Sequence, residues 1–242
     1  MSDLRSTDWI YYTSVTAESE VQIIGYRTLI EYQFIIEKCK HCTIVVNSSR
    51  KKDICEFLGN KYSKRYQIIN VDEFMTFKND ENKYDMTIFY DCLDIRKLID
   101  IKVLIRLLMT STKKEGQIIL FLSNSLYHLF TLNIQGIKYS SSYRQYITVL
   151  ASSKLKDFKC YLPLPFYNNS SLFIVPVSTN VLSHFLEYIY PLTKMVSTEV
   201  KRSYGVKYII ANKIFNLIKA LSIETFVKYI ASGYLFIIKN EK

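Results

Sequence analysis

Short apolar runs alternating with amphipathic stretches set the rhythm of the first half of the chain. EVQIIGYR places Val21, Ile23 and Ile24 before Gly25, the pattern of a short buried strand ending in a turn. TLIEYQFIIEKCKH then groups Leu29, Ile30, Phe34, Ile35 and Ile36 on one helical face. TIVVNSS predicts a second strand, RKKDICEFLGNKYSK a helix closing near Gly59, and YQIINVDEF a third strand with Asp72 and Glu73 at its end. Residues 83–124 form the clearest unit, with KYDMTIFYDCLD as strand, IRKLIDIKVLIRLLMTSTKKE as helix and GQIILFLSN as strand. Asp94 stands where the N-cap of that helix is expected, and Ile95, Leu98, Ile99, Ile101, Leu104, Leu107 and Leu108 make its apolar stripe. Five strands near 21–25, 43–47, 67–71, 86–90 and 117–122, alternating with helices, predict a parallel sheet with right-handed crossovers and helices on both faces.

The second half is less regular. YSSSYRQYITVLASSKLKDFKCYLPLP predicts a helix delivering a strand over 158–162, after which Pro163 and Pro165 bar ordinary central-strand pairing. SLFIVPV reads as a further extended segment. LSHFLEYIYPLTKM and VKYIIANKIFNLIKALS read as amphipathic helices, and GYLFIIKN as a final strand. The 6 Gly and 4 Pro are scattered, with no repeat and no linker, so residues 1–242 are expected to be one α/β domain with a doubly wound, mostly parallel sheet. Residues 163–222 are expected to be a helical insertion before the last strand.

Composition changes this picture little: 49% hydrophobic residues are ample for a core. The net charge of +10 favours anionic partners, among them nucleic acid, a nucleotide-like cofactor or a phosphorylated substrate. No stretch is a polybasic block, however, so a lysine-rich solvated surface explains the charge better than a nucleic-acid footprint. The N-terminus lacks the apolar core of a secretory signal, which predicts a cytoplasmic protein with its five cysteines reduced. Residues 117–137 are an uncharged run of membrane-spanning length, but Ser123, Asn124, Ser125, His128, Asn133 and Gln135 interrupt it, and no membrane span is expected.

Candidate chemistry outside the strand ends is thin. Cys39 and Cys42 are spaced as C-x-x-C but fall at a helix end rather than a helix start, and no paired ligands complete a zinc site. His128 and His184 stand in apolar helical surroundings with no nucleophile elbow nearby. Walker, kinase and His-Glu-x-x-His patterns are absent, so phosphoryl transfer and metalloprotease chemistry lack support.

The order of elements, with a fifth strand introduced by KKEGQIIL, a helix leading to a sixth, and a last strand at the C-terminus, resembles the class I S-adenosylmethionine-dependent methyltransferases. The likeness is one of pattern and covers nearly the whole chain. Tyr84, Asp85, Met86, Thr87, Ile88 and Phe89 stand where that family has its fourth strand, Cys92, Leu93 and Asp94 where a helix-entry turn follows, and residues 113–121 where a turn feeds strand five. Residues 143–165 resemble the late helix and strand that lead to a loop by the substrate.

The resemblance implies a Rossmann-like fold, S-adenosylmethionine as cofactor and methyl transfer to an acceptor. It places Gly25 and Tyr26 at the cofactor turn, which in the family is glycine-rich because a Cβ there would collide with the ligand. It places Asn47 where an acid normally holds the ribose hydroxyls, and Asp72, with Glu73, at the acidic position near the adenine. Tyr90 and Asp91 match the place where donor and acceptor meet, with either positioned to orient or deprotonate the nucleophile. Tyr143, Arg144 and Pro165 fall on the acceptor side. A shifted register would make TIVVNSS the first strand and Asp72 the ribose acid, but it leaves EVQIIGYR without a role. Three readings follow. They are a methyltransferase with an unidentified acceptor, a non-catalytic relative that binds or activates a protein partner, and an enzyme using another nucleotide-like ligand in the same crevice.

Overall fold

The computed structural model describes residues 9–76, 81–130, 132–155, 157–164, 173–184, 213, 216, 217, 220 and 226–241. The apolar runs become β1 (Glu20–Ile24), β2 (His41–Val46), β3 (Tyr66–Asn70), β4 (Tyr84–Tyr90), β5 (Thr112–Ser123), β6 (Phe158–Leu164), β7 (Phe173–Pro176) and β8 (Gly233–Lys239). They lie in one sheet in the order β3-β2-β1-β4-β5-β8-β6-β7. β1 to β5 pair in parallel, and β8 enters antiparallel between β5 and β6. Strand order reverses between β1 and β4, and in open α/β sheets ligands bind outside the carboxyl ends at such a reversal.

Two apolar layers hold the sheet. On one face α1 (Leu29–Lys38) and α2 (Ser48–Leu58) bury Tyr32, Ile35, Ile36, Ile54 and Leu58 with the turn at 9–12 against Ile23, Ile44, Ile88 and Phe121. On the other, α5 (Ile101–Ser111) and α8 (Tyr143–Ser152) bury Leu104, Leu108, Tyr146 and Leu150 against Phe89, Leu120 and Phe236. Local chemistry sets the ends of these helices. The Thr28 side chain accepts from the Glu31 amide, Ser142 and Gln145 form a capping box, and Gly59 closes α2 at φ +58°.

The helix expected after β4 is not continuous. A short α4 (Leu93–Arg96) stops, and α5 restarts with Asp100, not Asp94, as its N-cap, accepting from the Lys102 amide at 2.8 Å. The aspartate side chain competes for backbone N–H groups and so favours a fresh start over a helix interior. In consequence Leu98 leaves the stripe and is 56% exposed, while Ile105 joins it.

β5 also begins earlier than its apolar run. Tyr84 pairs with Thr112 and Met86 with Gln117, so residues 113–116 bulge out of the ladder, with Glu115 at φ +65°. Asn240 ties the bulge down: its Nδ2 donates to the carbonyls of Met109 (3.2 Å), Thr112 (2.9 Å) and Lys113 (3.2 Å). Asn240→Ala is expected to cost about 2 kcal/mol, the order of a buried polar group left unsatisfied, read as a lower urea midpoint at unchanged slope.

Pro163 is accommodated within β6 because β8 pairs only with the stretch from Phe158 to Tyr161, while Pro163 faces Ile174 of the edge strand β7. Within 163–222 the described residues include β7 and α9 (Thr179–His184). The two long amphipathic helices expected there lie largely outside the described residues, as does Pro165. Among the described residues no helix is long and apolar enough to cross a membrane.

Candidate functional site

The turn that follows β4 separates two hollows at the carboxyl edge of the sheet. The first, about 70 Å³, lies over β1 and β2 and is lined by Gly25, Tyr26, Val46, Asn47, Arg50, Cys92, Asp94 and Ile95. The second, about 100 Å³, lies on the β5 side, where α6 (Ser125–Phe130) and α7 (Ile134–Tyr139) add His128, Asn133, Gly136 and Tyr139 to Asp91, Leu93, Arg96, Ser123 and Ser140. Successive residues of the turn thus serve opposite sides, Asp91 and Leu93 one hollow and Cys92 and Asp94 the other.

Gly25 sits at φ +93°, and a Cβ there would stand 2.3 Å from the carbonyl oxygen of Tyr90. Its N–H donates to the Val45 carbonyl at 2.9 Å and its own carbonyl accepts from the Tyr32 hydroxyl at 2.5 Å. The missing side chain therefore lets β1 end hard against the backbone of β4. Beside it the Arg50 guanidinium lies 4.8 Å from the Tyr26 ring centre. Asn47 is the N-cap residue of α2, yet its side chain makes no bond to the helix. Asp72 and Glu73 are exposed in the first turn of α3 (Val71–Thr76) and do not line the hollow.

Tyr90 and Asp91 diverge. The Tyr90 ring is buried on the α1 side, 5.0 Å from the Phe121 ring. Asp91 turns into the second hollow, where its Oδ2 accepts from the amide (2.9 Å) and hydroxyl (2.6 Å) of Ser123, and its Oδ1 lies 3.5 Å from Arg96 Nε. Burial pushes the Asp91 carboxyl up, against the opposing pull of Arg96 and Ser123. Burial pushes the His128 imidazole down, with Asp91 pulling the other way.

Tyr143 and Arg144 line neither hollow. Tyr143 packs flat at 6.5 Å on Phe236, and the Arg144 guanidinium lies 5.8 Å from the Tyr229 ring centre. Cys39 and Cys42 are both buried, and no group of side chains among the described residues is arranged to hold a metal ion. Sequence reasoning gave no site role to Arg50, Cys92, Asp94, Arg96 or His128. Arg96, five residues after Asp91 across a predicted helix start, was the one with a usable signal, an acid and a base flanking a single turn.

Compared by sequence, the chain matches no family model and no curated protein. Compared by structure, it is similar to phosphoethanolamine N-methyltransferase 2 of Haemonchus contortus, solved with phosphomonomethylethanolamine and S-adenosylhomocysteine, at 11% identity and a TM-score of 0.58. That match covers 97% of this chain and 52% of the other, so the chain spans about half the length of the Haemonchus enzyme. A candidate methyltransferase from Bacillus halodurans matches at 9% identity and TM-score 0.57, over 98% of this chain and 99% of its own. The YcgJ protein of Bacillus subtilis matches at 12% identity and TM-score 0.55, over 97% and 95%. Strand order, the antiparallel last strand and these likenesses agree: the chain has the fold of the class I S-adenosylmethionine-dependent methyltransferases.

Proposed function

We propose that the chain is an S-adenosylmethionine-dependent methyltransferase, with the donor in the first hollow and the acceptor on the other side of the 91–96 turn. The observation that carries this reading is the position of the first hollow at the reversal of strand order, with polar groups turned into it. The Asn47 amide, uncommitted to its helix, and the Asp94 carboxylate suit ribose hydroxyls and an ammonium group. The bound cofactor would supply an electrophilic methyl group. The chain's part is positioning, with Asp91 held by Ser123 and Arg96 so that it can orient an acceptor.

At about 70 Å³ the first hollow is well below the roughly 300 Å³ of smaller ligand sites. Arg50, half-exposed and resting over Tyr26, lines it and would have to swing out to admit a ligand of that size. The small volume favours a second reading, a non-catalytic relative that binds or activates a protein partner. Calorimetric titration with S-adenosylmethionine and S-adenosylhomocysteine separates the two. Micromolar binding is expected, weakened about tenfold or more in Asp94→Ala, since a hydrogen bond to a charged group is worth about 1.5–3 kcal/mol. No heat from folded protein with either ligand would overturn the methyltransferase reading and leave the second.

A further inference from the structure

The second hollow contains a half-finished hydrogen-bond arrangement. The Arg96 side chain is 8% exposed and that of Asp91 2%. Arg96 Nε donates to the Tyr139 carbonyl at 3.0 Å, but Nη1 is buried with no hydrogen-bond partner among the described residues. Asp91 commits Oδ2 to both Ser123 donors, while among the described residues Oδ1 has the 3.5 Å approach of Arg96 Nε alone. A buried donor on a cation that lacks an acceptor is costly, so this arrangement calls for a group that completes it.

The charges say which kind of group. Asp91 and Arg96 cancel one another, and burial disfavours the charged form of His128, so the hollow as a whole is close to neutral. An incoming formal charge would be buried without a counterion of its own, which is strongly unfavourable. A carboxylate only accepts hydrogen bonds, and a phosphate brings one to two negative charges, so either would meet the Asp91 carboxylate unfavourably, whereas an ammonium only donates and would meet Arg96. A hydroxyl accepts from Nη1 and donates to Oδ1 at once. Space is sufficient for more than one such group, because about 100 Å³ compares with about 10–15 Å³ for each water-sized occupant.

We propose that this hollow binds a neutral polyhydroxylated group, the hydroxyl-bearing edge of a sugar or cyclitol, through the Asp91–Arg96 pair. The inference rests on the proposed function only in assigning that group as the methyl acceptor; binding itself needs no cofactor.

The test is titration of the full chain, without cofactor, with myo-inositol and methyl α-glucopyranoside, and in parallel with inorganic phosphate and acetate. The readout is the ring proton signals of His128, one of three histidines. Millimolar, saturable shifts are expected with the polyols and none with the oxyanions. Asp91→Asn should lower polyol affinity at least tenfold and admit phosphate, because the Arg96 charge is then uncancelled. A second variant leaves the pair alone: an alanine Cβ at position 136 would stand 2.4 Å from His128 Cγ, so Gly136→Ala must displace that ring and should also weaken polyol binding.

Oxyanion shifts in the unaltered protein, no polyol shifts, or unchanged polyol binding in Gly136→Ala would each overturn the inference. S-adenosylmethionine binding without polyol shifts sinks this inference alone. Polyol shifts without S-adenosylmethionine binding sink the methyltransferase reading and leave this one standing.

Discussion

Gly25→Ala is expected to lower the unfolding free energy by about 3–5 kcal/mol and to abolish ligand binding in the first hollow. Two costs add. Holding a residue with a Cβ at φ +93° is worth about 1–3 kcal/mol of backbone strain. The new carbon would lie 2.3 Å from the Tyr90 carbonyl oxygen, a backbone atom of a central strand that cannot swing aside, and overpacking of this kind adds about 1–3 kcal/mol. Relief means parting β1 from β4, which also disturbs the Tyr32 hydroxyl bond to the Gly25 carbonyl. At about 2–4 °C per kcal/mol for a chain of this size, the melting temperature should drop by roughly 10 °C. Gly59→Ala is the control. It too has positive φ, at +58° with ψ −164°, but nothing lies within 4 Å of the added Cβ, so it should lose only the backbone strain of about 1–3 kcal/mol, without the overpacking cost. Equal losses at the two positions would show that the contact with β4 is not what requires glycine at 25.

This glycine illustrates what a sequence can and cannot disclose. A lone Gly after EVQII predicts the end of a strand and, through the resemblance, a cofactor turn. That its tightest neighbour is the backbone of β4 is a fact of tertiary packing, invisible to local pattern. β1, β2 and β4 were legible because β-branched and aromatic runs flanked by turn residues are dictated by burial on both faces. The early start of β5 was not, since its bulge at 113–116 depends on Asn240, which lies 128 residues from Thr112 and 127 from Lys113. Asp94 and Asp100 are equivalent as capping candidates until packing decides which of Leu98 and Ile105 faces the sheet. The site divides in the same way. Asp91 was readable as an acid at a strand end, whereas the burial of the Tyr90 ring, and the Arg96 guanidinium brought beside Asp91, follow from side-chain directions that strand periodicity alone does not fix. The charge of +10 carried no information about either hollow.

The second large effect concerns a carboxylate to which sequence reasoning gave no role. Glu31 is fully buried in the first turn of α1. Its Oε1 accepts from Trp9 Nε1 at 3.0 Å and lies 2.6 Å from Arg27 Nη1, and its Oε2 accepts from the Thr28 hydroxyl at 3.1 Å. The Arg27 side chain is 5% exposed, with its guanidinium 4.8 Å from the Phe121 ring centre, and Trp9 meets the same ring edge-on at 5.1 Å. Glu31 thus fastens the segment before β1 onto the sheet. Glu31→Ala removes one partner of a buried pair and should cost about 3–5 kcal/mol, chiefly because the Arg27 charge stays buried. Trp9 is the single tryptophan, so its emission should shift to longer wavelength under native conditions as the segment loosens. Glu31→Leu combined with Arg27→Met removes both charges and should recover most of the loss. If the single and double variants are equally unstable, an uncompensated charge is not the cause. The pH dependence gives an independent check. Burial raises the Glu31 carboxyl above its ordinary 4.5, against the opposing pull of Arg27 and Trp9. The folded chain therefore holds this proton more tightly than the unfolded chain does. The resulting stabilisation is complete below pH 4.5 and is lost as pH rises through the folded value. The double substitution deletes that slope, so between pH 4.5 and neutrality the unfolding free energy of the double variant should fall less than that of the unaltered protein.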